Sequence, residues 1–239
     1  MNYFDEYTSK YDMNVPKIEY KYHHSYRVMD NMAVIAKSLN LPVKDVELAK
    51  CIGLLHDIGR FEQLTKYHTF KDIEMDHGDY GEKMLRENDA LSYFNIDKED
   101  YEVVYIAIRN HNKFRIEDNL SKRTLLFAKM IRDADKLDIF NALSDKTIKW
   151  IIKEDDSPIN DRVRQDFFAN KQTKSTGQEN HNEELVNLFA LAYDIYFGVS
   201  YDIIKNEQYY QKIYQRLSNQ ELFKPYFEHI TKYIDERMK

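Results

Sequence analysis

At 239 residues the chain can form one large domain, or one domain with an extension, and its 43% hydrophobic residues suffice for a sizeable core. A charged fraction of 32% speaks against a membrane protein, and a net charge of -6 against a dedicated nucleic-acid surface, which usually needs a basic face. The single Cys51 excludes an internal disulfide, and the opening Met1-Asn2-Tyr3-Phe4-Asp5-Glu6 lacks the pattern of a secretory signal, so a cytoplasmic location is expected.

Gly (6) and Pro (4) are scarce, which disfavours turn-rich sheet proteins and predicts an all-α fold. Apolar residues at Val28, Met32, Ile35, Ala36 and Leu39 give Tyr22 to Leu39 the spacing of one helix face, and Pro42 ends it. Val43 to Ile58 is a second helix, with Gly59 as its expected stop. A short helix follows over Gly78 to Glu87. Asp97 and Asp100 form the acidic first turn of another that runs to about Asn110. Ser121 is placed to cap a long helix through Asp138 and beyond. Helical segments at 163–169, 183–201 and 221–238 complete the chain, and no alternating strand pattern occurs. The stretch Val186 to Ile204 is interrupted by Asp194 and Asp202, so it reads as a buried helix pair rather than a membrane span. The polar segment 170–182 is an expected loop. It separates a domain over 1–169 from a C-terminal helical extension over 183–239.

Histidine and aspartate are distributed along these helices in a telling way. His24 lies near the start of the first, and His56-Asp57 at the end of the second. His77 opens the third, His111 closes the fourth and Asp135 lies within the fifth. Helix bundles are well suited to placing such side chains around a central metal. His56 and Asp57 follow the core run Cys51-Ile52-Gly53-Leu54-Leu55, where polar groups are costly to bury unless paired. A metal ion satisfies both groups at once. Imidazole and carboxylate together suit Mn, Fe, Ni, Co or Zn. Such an ion lowers the pKa of water and neutralises phosphoryl oxygens, so no Ser or Cys nucleophile is needed. Taken singly, each residue has an ordinary explanation as a helix-end hydrogen bond or an ion pair on its own helix. The argument rests on their joint occurrence.

Three segments resemble a known family: His24-Ser25-Tyr26-Arg27-Val28, then Leu54-Leu55-His56-Asp57-Ile58-Gly59-Arg60, then Ala134-Asp135-Lys136-Leu137-Asp138. They are similar, in order and context, to the motifs of the HD-domain metal-dependent phosphohydrolases. The resemblance implies an all-helical HD bundle and a divalent ion held by His24, His56, Asp57 and Asp135. The His-Ser-x-Arg-Val context selects His24 over His23, and the Ala-Asp context selects Asp135 over its neighbouring aspartates. His77-Gly78-Asp79-Tyr80-Gly81 and Ile108-Arg109-Asn110-His111-Asn112 resemble elements of members that hold two ions. That implies Asp57 as a bridge, with His77 and His111 on the second ion. With one ion, His77 and His111 would instead serve substrate binding or proton transfer. Similar layouts occur in HD-type cyclic dinucleotide phosphodiesterases and diadenosine tetraphosphate hydrolases. The chain lacks the Gly-Tyr-Pro segment of the HD-GYP enzymes, and it lacks the Glu-Asp pair that follows the doublet in stringent-response hydrolases. No particular substrate is therefore implied.

The expected partner is a small phosphorylated substrate of nucleotide type, with no membrane partner, and self-association is left open. Asp57 and Arg60 are the expected catalytic residues, and Arg60 and Lys136 the expected phosphate contacts. Glu62 is a candidate proton carrier, and Tyr67 or Phe70 a candidate stacking surface or plain core. Two other functions fit the same fold: a non-catalytic nucleotide-binding sensor and a di-iron oxygenase.

Overall fold

Apolar residues recurring every three to four positions set the architecture, and among the described residues, 3–237 of a computed structural model, no strand occurs. The all-α expectation therefore holds. The chain gathers into two compact units, one ending at Asp135 and the other beginning at Lys136. The first contains α1 (Tyr3–Thr8), α2 (Pro16–Ser38), α3 (Val43–Leu55), α4 (Ile58–Tyr67), α5 (His77–Glu87), α6 (Tyr101–Asn110) and the first part of α7 (Lys122–Ser144). The second contains the rest of α7, α8 (Asp161–Phe168), α9 (His181–Phe189), α10 (Gly198–Asn206), α11 (Tyr209–Tyr214) and α12 (Gln220–Arg237).

In the first unit, Pro16 stands at the first turn of α2, where its fixed φ suits a helix and its missing N–H costs nothing. Val28, Met32 and Ile35 of α2 and Ile52 and Leu55 of α3 are fully buried. Each such side chain contributes about 1.5–3 kcal/mol by leaving water. The two helices approach closely because Gly53 has no side chain: a Cβ there would lie 2.7 Å from Met29 Cα. Helix α1, which sequence periodicity did not reveal, is held by rings. Phe4 packs on Tyr22, Tyr26 and Phe61 with centroids 5.6 to 5.9 Å apart. Arg123 of α7 forks onto Asp45 at 2.9 and 3.0 Å and onto Asp100 at 2.9 and 3.0 Å, so one guanidinium ties three elements together. Ser121 Oγ accepts from Thr124 N at 3.0 Å, the expected start of the long helix.

Gly59 is a correction. It does not stop a helix but is the second residue of α4. The chain breaks two residues earlier, at Asp57 (φ -102°, ψ 17°), and Ile58 starts the new helix. Gly59 is required for a different reason: a Cβ there would lie 2.3 Å from the carbonyl oxygen of His77 and 2.9 Å from Gly81 N. Its bare backbone lets α4 lie directly against α5.

In the second unit, Asn160 caps α8 by accepting from Val163 N at 3.0 Å, and Asn180 with Glu183 forms a capping box on α9. The helix pair expected over Val186 to Ile204 is present as α9 and α10. After α9 comes a 3-10 turn (Ala190–Asp194), and Ile195 is extended (φ -99°, ψ 134°) before α10 begins at Gly198. Segment 171–180 is irregular, as expected. Glu179 ties it by accepting from the backbone N–H groups of Thr176 and Gly177 and from the Ser175 hydroxyl. Arg216 donates to the carbonyls of Ala142, Leu143 and Ile148 at 3.3, 2.5 and 2.8 Å, satisfying groups that the end of α7 leaves open. The last expected helix is α12; Met238 lies outside the described residues. No helix among the described residues is long and apolar enough to cross a membrane.

Alanine for glycine inside a helix ordinarily stabilises it. Gly59→Ala is expected to do the reverse and lower stability by about 1–3 kcal/mol, the cost of overpacking. A thermal melt that shows no loss would mean that the two backbones are not in contact.

Candidate metal centre

The ends of four helices meet at one point in the first unit. His56 is the C-cap of α3, Asp57 the N-cap of α4, His77 the first residue of α5 and His111 the C-cap of α6. His24 reaches in from α2 and Asp135 from α7. His24, His56, Asp57, His77 and His111 are all at most 5% exposed, while the Asp135 side chain is 17% open. The ligand atoms of His24, His56 and Asp135 lie within 4.8 Å of one another, as do those of His56, Asp57 and His111. The structure thus brings all six residues singled out as metal ligands into one cluster.

The local reason is the same at two helix ends. A helix leaves its last carbonyls without partners. His56 answers by donating Nδ1–H to Gly53 O at 2.8 Å, and His111 by donating Nδ1–H to Ile108 O at 2.6 Å. His77 donates Nδ1–H to the Asp72 carboxylate at 2.6 Å. With Nδ1 so engaged, each ring turns an unprotonated Nε2 inward.

Two pairs of nitrogens result. His24 Nε2 and His56 Nε2 are 3.1 Å apart, and His77 Nε2 and His111 Nε2 are 2.9 Å apart. Asp57 stands between them. Its Oδ2 lies 3.4 and 3.6 Å from the first pair, and its Oδ1 3.1 and 3.6 Å from the second. Asp135 Oδ1 adds a carboxylate to the first pair, at 3.2 and 3.6 Å.

Charge reinforces the arrangement. Burial works to raise the Asp57 carboxyl, but the Lys21 ammonium at 2.5 Å and the imidazoles of His56, His111 and His24 outweigh it and hold the group well below the usual carboxylate range. Asp135 is likewise held well below the usual carboxylate range against its burial, by the neighbouring imidazoles of His24 and His56. Burial pulls His111 down to about 4; the hydrogen bond to Asp57 opposes this, and His77 and His56 add to it.

A family description, the HD domain, matches residues 22–164. The chain belongs to the HD-domain family. HD domains bind divalent metals, and their superfamily is one of metal-dependent hydrolases. No curated protein and no solved structure matches the chain. In this HD domain the donor set fits a metal. Imidazole nitrogens and carboxylate oxygens converge there, with the His24 and His56 Nε2 atoms 3.1 Å apart and an oxygen of Asp57 and of Asp135 beside them, a mixed N/O set that suits a divalent transition ion.

The other expected residues are placed as follows. Arg60 is buried at the centre: Nη2 donates to His77 Nε2 at 2.9 Å, Nη1 to Phe70 O at 2.8 Å and to Gln63, and Nε lies 3.6 Å from Asp57 Oδ1. Lys136 follows Asp135 in the chain but belongs to the second unit, where its ammonium pairs with Asp194 at 2.7 Å. Glu62 accepts from the Tyr11 hydroxyl at 3.3 Å, and Lys66 lies over the Tyr67 ring. Three residues were not anticipated. Lys21 lies one helical turn before His24, a spacing that could have exposed it. Asp72 and Gln63 act through the loop between α4 and α5, which has no periodicity to read. Gln63 Nε2 holds that loop by donating to Asp72 Oδ1 at 2.8 Å and to Met75 O at 2.7 Å.

Ring-nitrogen NMR of chelated protein should place a proton on Nδ1 of His56, His77 and His111; an Nε2–H tautomer at any of them would contradict the geometry. For His111 the folded value of about 4 lies below the ordinary 6.5. Protonation therefore favours the unfolded chain, and the stability this residue contributes is lost as pH falls from about 6.5 to about 4. Chelated protein melted across that range should lose stability, and His111→Gln should lose less.

Proposed function

We propose that the chain is a metal-dependent phosphohydrolase that uses activated water to cleave a phosphomonoester, phosphodiester or phosphoanhydride bond of a small nucleotide-type substrate. The carrying observation is the Asp57 carboxylate between two facing imidazole pairs, one oxygen toward each. His24, His56, Asp57 and Asp135 would hold one divalent transition ion, and His77, His111 and Asp57 a second. Such ions supply a more acidic water and neutralise phosphoryl oxygens. The protein's own residues supply the rest. Asp57, kept ionised, offers an oxygen to each side. Asp72 fixes the His77 ring through Nδ1, a carboxylate–imidazole pair that sets both tautomer and orientation. Arg60 is 9% exposed, yet its Nε has no hydrogen-bond partner, so it retains a donor for a phosphoryl oxygen beside Asp57. We assign the functional domain to 1–169 and an extension to 183–239; the family match over 22–164 lies within the first.

Elemental analysis of protein purified without chelator should find about two ions per chain, and a phosphomonoesterase and phosphodiesterase panel should find turnover that survives removal of O₂. Asp57→Ala should release both ions and lower kcat by ~10³-fold or more, on the scale of losing one strong electrostatic stabiliser, with the helical circular dichroism retained. Asp72→Asn should weaken metal affinity about 10- to 100-fold. Full hydrolysis by Asp57→Ala would end the proposal, and nucleotide binding without turnover in the wild type would identify a sensor instead.

A further inference from the structure

The face of α2 that carries His24 also carries Lys21 and Lys17, one and two turns nearer its N-terminus. Positions i, i+4 and i+7 lie on one side of a helix, so the three form a line leading away from the metal centre. Opposite that line, in the loop that Gln63 holds, stands Phe70. Three cations surround its ring: the Lys17 ammonium at 5.3 Å from the centroid, Lys21 at 5.7 Å and the Arg60 guanidinium carbon at 5.6 Å. A ring face attracts cations and so gathers charges that would otherwise repel one another.

The three cations are not equally neutralised. Lys21 pairs with Asp57, and Arg60 lies 3.3 Å from Asp72. Lys17 has no carboxylate within ion-pair distance among the described residues, although it is half-buried. It also stands in the first turn of a 23-residue helix, where the dipole disfavours a cation. A half-buried, unneutralised ammonium against the dipole, gathered with two others on one ring beside a phosphohydrolase-type centre, is suited to an anion with more charge than a single phosphate.

We propose that Lys17, Lys21 and Phe70 form a subsite for a second, non-scissile phosphate. It rests on the phosphohydrolase reading and narrows it. The substrate carries at least two phosphates, as a nucleoside polyphosphate or a dinucleotide does, and is not a simple monoester. Lys17 contacts the distal phosphate and Lys21 spans the two positions. Phe70 is a positioning residue that keeps the cations together.

The test is calorimetric titration of the full-length, metal-free protein with imidodiphosphate and with orthophosphate. Wild type should prefer imidodiphosphate, and Lys17→Gln should cut that preference by about tenfold, the worth of one charge-assisted contact, while orthophosphate binding is unchanged. Lys17→Arg should restore the preference. Lys146→Gln, which removes an exposed lysine in the second unit, should leave it intact and controls for net charge. No preference in wild type, equal weakening of both ligands by Lys17→Gln, or the same loss in Lys146→Gln would overturn the subsite. ADP against AMP, and a cyclic dinucleotide against its mononucleotide, tell an anhydride source from a diester one. A Lys17-dependent preference in either supports the subsite, and its absence from both overturns it. If the metal-loaded protein turns over no phosphate ester but keeps this preference, the hydrolase reading fails and the subsite stands.

Discussion

The first unit is organised around one buried carboxylate. Asp57 is 1% exposed and lies within 3.6 Å of four imidazole nitrogens, with an ammonium on one of its oxygens. An isolated charge in that position would be strongly unfavourable, so the group persists only because several elements converge on it at once. Helices α3, α5 and α6 must each end or begin where they do for this to happen, while α2 passes alongside and offers His24 from its interior. The cluster is therefore a property of how the helices terminate.

Termination is handled by the candidate ligands themselves. His56 and His111 each donate to the carbonyl three residues earlier, at the ends of α3 and α6. The bond that closes a helix also fixes which ring nitrogen faces inward. One interaction thus serves local structure and site chemistry together, and neither histidine needs a partner from elsewhere to be oriented. His77 differs because it begins its helix. Having no preceding carbonyl to use, it is oriented by Asp72 from the adjoining loop, which depends in turn on Gln63. That part of the centre rests on a longer chain of contacts than the others.

Much of this was legible in the sequence because helical periodicity and ligand chemistry are both local signals. The six ligand candidates each sit beside a recognisable helix boundary or core run, and the motif context chose His24 over His23. What was not legible depends on contacts across space. Gly59 looked like a stop because glycine commonly ends helices, whereas here its lack of a side chain serves the approach of α5. That misreading also hid α4. Helix α1 has only six residues and is defined by the rings it meets, not by any period of its own. The break at Ile195, by contrast, directly follows Asp194, one of the two aspartates that interrupt the apolar run. Lys21 was overlooked because a lysine on a long helix is usually solvated, and only the fold shows it 8% exposed against Asp57.

The contact at Gly59 also bears on how the centre can change. Asp57 lies two residues before this glycine, and His77 supplies the carbonyl that the glycine abuts. The interval between those two donors is consequently set by touching main chains, which do not hop between rotamers. Loops can open and surface side chains can wander while that interval stays constant. A roomier centre cannot be reached by exchanging one donor for a shorter or longer one, because two helices would have to move apart first.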